Sequence, residues 1–432
     1  MPSLGRQLRN RYRDWPSIAD QVVSTASNFL VVALVARGAG PAGYAPFAMA
    51  LVVWLLTLGI QRAVLIEPMA LLASRHQGER LAAHMKGAMS SAVLFAIACG
   101  ALAAAVSGTM ALLGAAPETT RTAFGFSLAL PLLLLQDAVR WQFLSLRTGM
   151  GALKNDAVFA VAELLPATGL LLAGRLNAAT GFLAVASGAA IATAYGIAQL
   201  RDRLSAPVPF RGKAEPAAGM PGWLLVDFLY WWVYAQAMLF VVAGLLGNRD
   251  AGLYRAMHDL FGPLRLANLS LLTVLLPASA EAFNLIGSAR LRQTVRRAIR
   301  LTTPLAGAYC TLAALVGPLL VRSLYGPAFE LPVVPLVLLS AGYFLNSAQL
   351  PLVVTMKASR QARRLALGRL AIAPLVLSAF PLLTDARQLM GASVAYLAAS
   401  VLNGLVVARQ VRTLVPTALV EGDEQPGVPG GR

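Results

Sequence analysis

Residues 247–283 read GNRDAGLYRAMHDLFGPLRLANLSLLTVLLPASAEAF, and how this stretch is read decides the fold. It is mostly apolar and longer than the roughly 20 residues a helix needs to cross a bilayer. Its first half nevertheless carries Arg255, His258, Asp259 and Arg265. At about 100° per residue these side chains, with Gly262, fall in one helical sector roughly 120° wide. Leu, Ala and Met fill the opposite sector. An ionised group at mid-bilayer costs about 3 kcal/mol on insertion scales. The stripe is therefore expected to face protein or a watered cavity, which makes its members functional candidates.

The stretch has a counterpart earlier in the chain. GPAGYAPFAMA begins at Gly40, and Glu67-Pro68 follows. Asp20 precedes Gly40 by the spacing that separates Asp227 from Gly247, an offset of 207 between the halves. Gly43 precedes Pro68 by the spacing that separates Gly252 from Pro277, an offset of 209. Matched spacings of this kind indicate an internal duplication.

Composition sets the class. The 432 residues are 57% hydrophobic and 13% charged, with a mean hydropathy of +0.66. Soluble chains carry about 25% charged residues, so this is a polytopic membrane protein of all-α class. The net charge of +17 does not point to nucleic acid, because the Lys and Arg residues sit between apolar runs. They read as a positive-inside signal. Cys99 and Cys310 both lie inside apolar runs and offer neither metal spacing nor a disulfide framework. His76 and His84 share a loop with no carboxylate or cysteine to complete a metal site. No GxxxxGK[ST] phosphate loop is present. No metal and no cofactor is expected, and the first apolar run is expected to stay as a helix.

Twelve spans are expected. A basic arm, 1–16, carries Arg6, Arg9, Arg11, Arg13 and Trp15, as a cytoplasmic anchor does. A six-span lobe follows over 17–200, then a Pro-rich linker over 201–221. A second six-span lobe covers 222–408, and the tail from 409 to 432 is expected to be disordered. With the N-terminus inside, 26 of the 36 Lys and Arg residues fall on the cytoplasmic side, which places both termini there. Six spans per half is an even number, so the halves are expected to be parallel repeats around a central cavity. Pro68, Pro166, Pro277, Pro304 and Pro351 are candidate kinks.

Several residues carry two readings. Arg255 either lines a cavity or pairs along its helix with Asp259, four residues on. Arg265 has no acid four residues away and is read as cavity-lining. Arg62 near Glu67, and Arg140 beside Asp137, either line the cavity or snorkel to the cytoplasmic rim. Tyr230, Trp231 and Tyr234 stack on sugar rings or form packing or an interfacial belt. Asp20 and Asp227 occupy equivalent repeat positions, as gate or ion sites or as helix-end residues. Glu163 is a candidate proton-coupling carboxylate, and Asp259 a candidate coupling or gate residue.

At Asp20-Gln21, Asn28, GPAGYAPFAMA, Glu67-Pro68, GLYRAMHDLFGP with Pro277, and LVRSLYGPAFE from Leu320, the chain resembles the polysaccharide and O-antigen flippases. These belong to the multidrug/oligosaccharidyl-lipid/polysaccharide exporter superfamily. The resemblance implies two six-helix lobes around a cavity that opens alternately to each side. It also implies a polyprenyl-diphosphate-linked oligosaccharide as substrate, an inner-membrane location and polysaccharide-assembly proteins as partners. Arg255, Arg265, Arg62 and Arg140 would then meet the diphosphate, since the guanidinium fork suits phosphate. The interleaved acids depart from a purely cationic pocket. A multidrug extrusion antiporter is the alternative. A membrane polymerase is disfavoured because every external loop is shorter than about ten residues, and the chain is not expected to be an enzyme.

Overall fold

The computed structural model describes residues 4–66, 69, 78–146, 148–204, 221–268, 271, 275, 279, 288–359 and 361–420. Every regular element among them is helical. In order these are α1 (Leu4–Gln61), a π-turn (Arg62–Ile66), α2 (Gly78–Leu112), α3 (Pro117–Ser145), α4 (Gly149–Leu172) and α5 (Ala178–Leu204). Then come α6 (Pro221–Trp232), a second π-turn (Val233–Ala237), α7 (Met238–Leu246), α8 (Asn248–Asp259), α9 (Ser288–Tyr325), α10 (Val333–Ala358) and α11 (Ala362–Val420).

Nine stretches among the described residues are long and apolar enough to cross a membrane. Two of them, Ala19–Ile66 at 48 residues and Arg363–Arg412 at 50, are too long for one crossing. Straight, each would run to about 70 Å, against a hydrocarbon core of about 30 Å. Both are broken midway, so each supplies two spans. In α1 the break is Gly40, at φ 66° and ψ 175°. In α11 it is Gln388, at φ 52° and ψ −139°. The chain is a polytopic, all-helical membrane protein. The eighth expected span is described as α8, the helical residues 262–268 and three isolated positions beyond.

Gly247, which caps α8, stands at φ 86° and ψ 175°. This is the conformation of Gly40, and it belongs to a region open essentially to glycine alone. The two glycines are the pair that the offset of 207 had matched. Equivalent corners of the two halves thus turn on the same backbone geometry.

The expected proline kinks do not mark the breaks. Pro166, Pro304 and Pro351 lie inside α4, α9 and α10, where no residue leaves helical geometry. Pro68 and Pro277 lie outside the described residues, as do Glu67 and most of the expected linker. The tail also differs at its start: α11 stays helical to Val420, and 421–432 fall outside the described residues.

The chain divides into two compact units. The first is Met1–Leu225 with Leu324–Ala328; the second is Val226–Ser323 with Phe329–Arg432. In the first, α3 packs against α2 and α5, and α4 packs against α1 and α5. In the second, α10 packs on α11, and α7 contacts both α8 and α11. Leu102, Leu112, Leu165 and Leu172 of the first unit are exposed, as are Leu305, Leu315 and Leu382 of the second. Asp20, Asn155, Asp156 and Glu163 are buried in the first, and Arg255, Ser400 and Asn403 in the second. Lipid has no water to satisfy polar groups, so apolar side chains face out and polar ones face in.

Two buried polar clusters as the candidate functional site

In the first unit three helices bring acids to one arginine. Arg140 on α3 lies with Nη2 2.5 Å from Asp20 Oδ2 on α1 and Nε 2.9 Å from Asp156 Oδ2 on α4. Its Nη2 also donates to Gln21 Oε1 at 3.3 Å. Gln136, one turn earlier on α3, donates to Asp156 Oδ1 at 3.0 Å. Asn155 donates to the Ala192 carbonyl at 2.6 Å, tying α4 to α5. Arg62, in the first π-turn, makes a paired contact with Asp137: Nε to Oδ2 at 3.1 Å and Nη2 to Oδ1 at 2.5 Å. Its guanidinium also lies 5.8 Å from the Trp141 ring centroid.

Glu163 is 0% exposed, and neither carboxyl oxygen meets hydrogen-bond geometry with any described group. The Ser27 hydroxyl lies within reach of it, but donates to the Ser24 carbonyl at 3.2 Å. The cluster thus gathers four carboxyl groups, Asp20, Asp137, Asp156 and Glu163, around two guanidinium groups, Arg62 and Arg140. Asp156 was missed from sequence. It stands seven residues before Glu163, two turns along one face of α4, and that spacing was the available signal.

In the second unit, α8 carries Tyr254, Arg255, His258 and Asp259, all buried. Arg255 Nε donates to Asp259 Oδ1 at 2.8 Å, and its Nη1 to Gln236 Oε1 at 3.3 Å. Gln236 comes from the second π-turn, which adds a residue per turn and swings both Tyr234 and Gln236 inward. The helix after α8 is interrupted at Leu260 and Phe261, where the Leu260 carbonyl accepts from Tyr309 Oη at 2.5 Å. Arg265 lies beyond this turn yet returns to the same place. A cleft of about 10 Å³, room for about one water, is lined by Gln236, Tyr254, Arg255, His258 and Arg265. Among the described residues Arg265 forms no ion pair. Two guanidinium groups, an imidazole and an amide around one small hollow are donors suited to an oxyanion.

The aromatic trio of the seventh span does not act as a set. Tyr230 and Tyr234 stack at 6.2 Å and 8°, and Tyr234 stacks on Tyr396 at 5.5 Å and 13°. The Tyr234 hydroxyl meets Ser400 Oγ at 2.6 Å and Asn346 Nδ2 at 3.0 Å. Trp231 instead is 40% exposed and pairs with Phe228 at 6.1 Å. The physical reason is helical period: Trp231 points about 100° around α6 from Tyr230, whereas Tyr234 is one turn on. The side chain of Asp227 lies outside the described residues. Tyr343, Asn346, Tyr396 and Ser400 were also missed. Polar residues recurring at three- and four-residue steps through the apolar α10 and α11 were the legible trace.

No family model and no curated protein sequence matches the chain. Solved structures do. An inward-facing multidrug resistance MATE family transporter of the MOP superfamily aligns with a TM-score of 0.70 at 10% identity, over 93% of this chain and 99% of that one. The lipid II flippase MurJ, in an inward closed conformation, aligns at 0.67 and 13% identity, over 92% and 87%. A MOP superfamily transporter from Pyrococcus furiosus, described as having a binding pocket of reversed polarity, aligns at 0.59 and 12%, over 93% and 95%. The chain therefore has the fold of MOP-superfamily transporters.

Proposed function

We propose that the protein is an alternating-access flippase that moves a polyprenyl-diphosphate-linked oligosaccharide across the inner membrane for polysaccharide export. Both termini would be cytoplasmic, and polysaccharide-assembly proteins are the natural partners. The observation that carries this reading is the second-unit cleft, where Arg255 and Arg265 converge on one hollow. A diphosphate cannot cross hydrocarbon with its oxygens unsatisfied, and paired guanidinium groups replace the water it loses. A lipid II flippase among the structures of this fold is consistent with a lipid-linked substrate.

Arg255→Ala and Arg265→Ala are expected each to lower polysaccharide export about tenfold or more, with inserted protein at parental levels. This is the effect of one lost charge-assisted contact. Full export in both variants refutes the anion site.

The first unit favours a second reading, because its four carboxyl groups outnumber its two guanidinium groups. Such a surplus suits a cationic drug or a coupling cation. We assign it to coupling, with Asp20 and Glu163 as its carriers and Asp259 and Asp227 as gate residues of the second unit. Transport of a fluorescent lipid-linked sugar in proteoliposomes, set against drug efflux, separates flippase from multidrug antiporter. Glu163→Gln is expected to melt within about 2 °C of the parent, since no hydrogen bond to a described group is lost. In the same vesicles it is expected to abolish the pH dependence of transport. An unchanged pH profile removes Glu163 from coupling.

A further inference from the structure

We infer that His258 is a fixed hydrogen-bond donor of the second-unit cleft, held in its Nε2–H tautomer by the Tyr343 hydroxyl. The inference rests on the proposed diphosphate reading for its ligand, but not for its tautomer.

Beside the His258–Tyr343 pair lies a network that begins with a group that can only donate. Arg369 Nε lies 3.1 Å from Asn403 Oδ1. A guanidinium has no acceptor, so the Asn403 amide must turn its oxygen toward it. Asn403 Nδ2 is then left to donate to Gln349 Oε1 at 3.1 Å. Gln349 Nε2 in turn donates to Asn346 Oδ1 at 2.7 Å. Each amide is oriented by the one before it, which settles three flips that geometry alone leaves open.

Asn346 Nδ2 then faces three hydroxyl oxygens: Tyr234 at 3.0 Å, Ser400 at 3.1 Å and Tyr396 at 3.2 Å. An amide nitrogen carries two protons, so at most two of these bonds form at once. The Ser400 proton goes to the Tyr396 carbonyl at 2.8 Å, and the Tyr234 proton to Ser400 Oγ at 2.6 Å. The Tyr396 ring packs against that of Tyr343, centroids 5.3 Å apart. Tyr343 Oη makes one hydrogen bond among the described residues, to His258 Nδ1 at 2.8 Å, and its proton goes there because the opposite direction would leave that proton without an acceptor. An imidazole that accepts at Nδ1 carries its proton on Nε2.

That Nε2 has no hydrogen-bond partner among the described residues, although His258 is only 6% exposed. It belongs to the cleft that Arg255, Arg265 and Gln236 also line. The ring is fixed edge-on by Tyr254 at 4.4 Å and by Tyr396 at 5.3 Å. A buried, oriented N–H beside two guanidinium groups is a third donor for one oxygen of a phosphate-type anion. Tyr343 is a positioning residue that acts through it.

The test uses the full chain in lipid nanodiscs. The protein has three histidines, so His76→Gln with His84→Gln leaves His258 as the sole ¹⁵N-histidine signal. The expected spectrum is that of the Nε2–H tautomer, turning to a mixture in Tyr343→Phe. Binding is then measured with polyprenyl diphosphate in the nanodisc and, separately, with inorganic diphosphate. His258→Gln, whose amide places an N–H near Nε2, is expected to bind within about threefold of the parent. His258→Phe, similar in bulk but without a donor, is expected to bind about tenfold more weakly.

An Nδ1–H tautomer overturns the inference and leaves the diphosphate reading standing. Parental binding by His258→Phe, where Arg255→Ala binds weakly, does the same. Binding indifferent to Arg255→Ala, Arg265→Ala and His258→Phe alike overturns both. Weakening confined to inorganic diphosphate supports the donor role but makes a soluble anion, not a lipid headgroup, the occupant.

Discussion

Arg140→Met is expected to be the most damaging single change in the first unit, costing about 3–5 kcal/mol. The guanidinium is 10% exposed and lies within 2.9 Å of two carboxylates that are 1% exposed each. Removing it leaves Asp20 and Asp156 facing one another without a cation, in a place that water does not reach. A domain holds only about 5–15 kcal/mol in total, so most of the protein should be lost to aggregation at ordinary temperatures. Melting in detergent, followed by size-exclusion chromatography, reads the effect. The companion is Arg140→Met with Asp20→Asn and Asp156→Asn. It should recover most of the stability, because replacing a whole buried ionic group is often neutral whereas breaking it is not. A single variant as stable as the parent, or a triple variant no better than the single, refutes the account.

Gly391→Ala is the second large effect. The loop around Gln388 folds the two spans of α11 back on each other, and a Cβ at residue 391 would lie 1.7 Å from the Leu383 carbonyl oxygen and 2.5 Å from its carbon. Both are backbone atoms and neither yields as a side-chain tip would. The hairpin must open, a disruption of the kind that exceeds about 4 kcal/mol, and expression of folded protein should fall below detection. Three residues earlier the sign reverses. Gln388 holds φ 52°, which strains any side chain. Gln388→Gly should therefore be neutral or stabilising by about 1–2 kcal/mol, seen as an unchanged or raised melting temperature. An ordinary melt for Gly391→Ala would mean the two spans do not meet at this point.

Much of the architecture was legible before any coordinates. Periodicity and composition act locally, and they report which residues avoid lipid. The repeat was equally plain, because Gly40 and Gly247 each meet a backbone demand that only glycine satisfies. The second-unit cleft was visible as a stripe, since Arg255, His258 and Arg265 all sit within eleven consecutive residues.

Partnership across helices was not legible. In sequence Asp137 lies beside Arg140 and Glu67 near Arg62, but nothing there names a partner for either arginine. In the fold Arg140 meets Asp20, 120 residues away, and Arg62 meets Asp137, 75 residues away. The hydrogen bond between Tyr343 and His258 likewise joins α10 to α8. Helical period gives the face a residue occupies on its own helix, but not the rotation and height at which that helix packs against the next. The two π-turns add a local shift that no apolar pattern records. The sequence by itself determined that polar groups gather inside a membrane bundle; tertiary packing decided which acid meets which base, because a contact of about 3 Å depends on several helices at once.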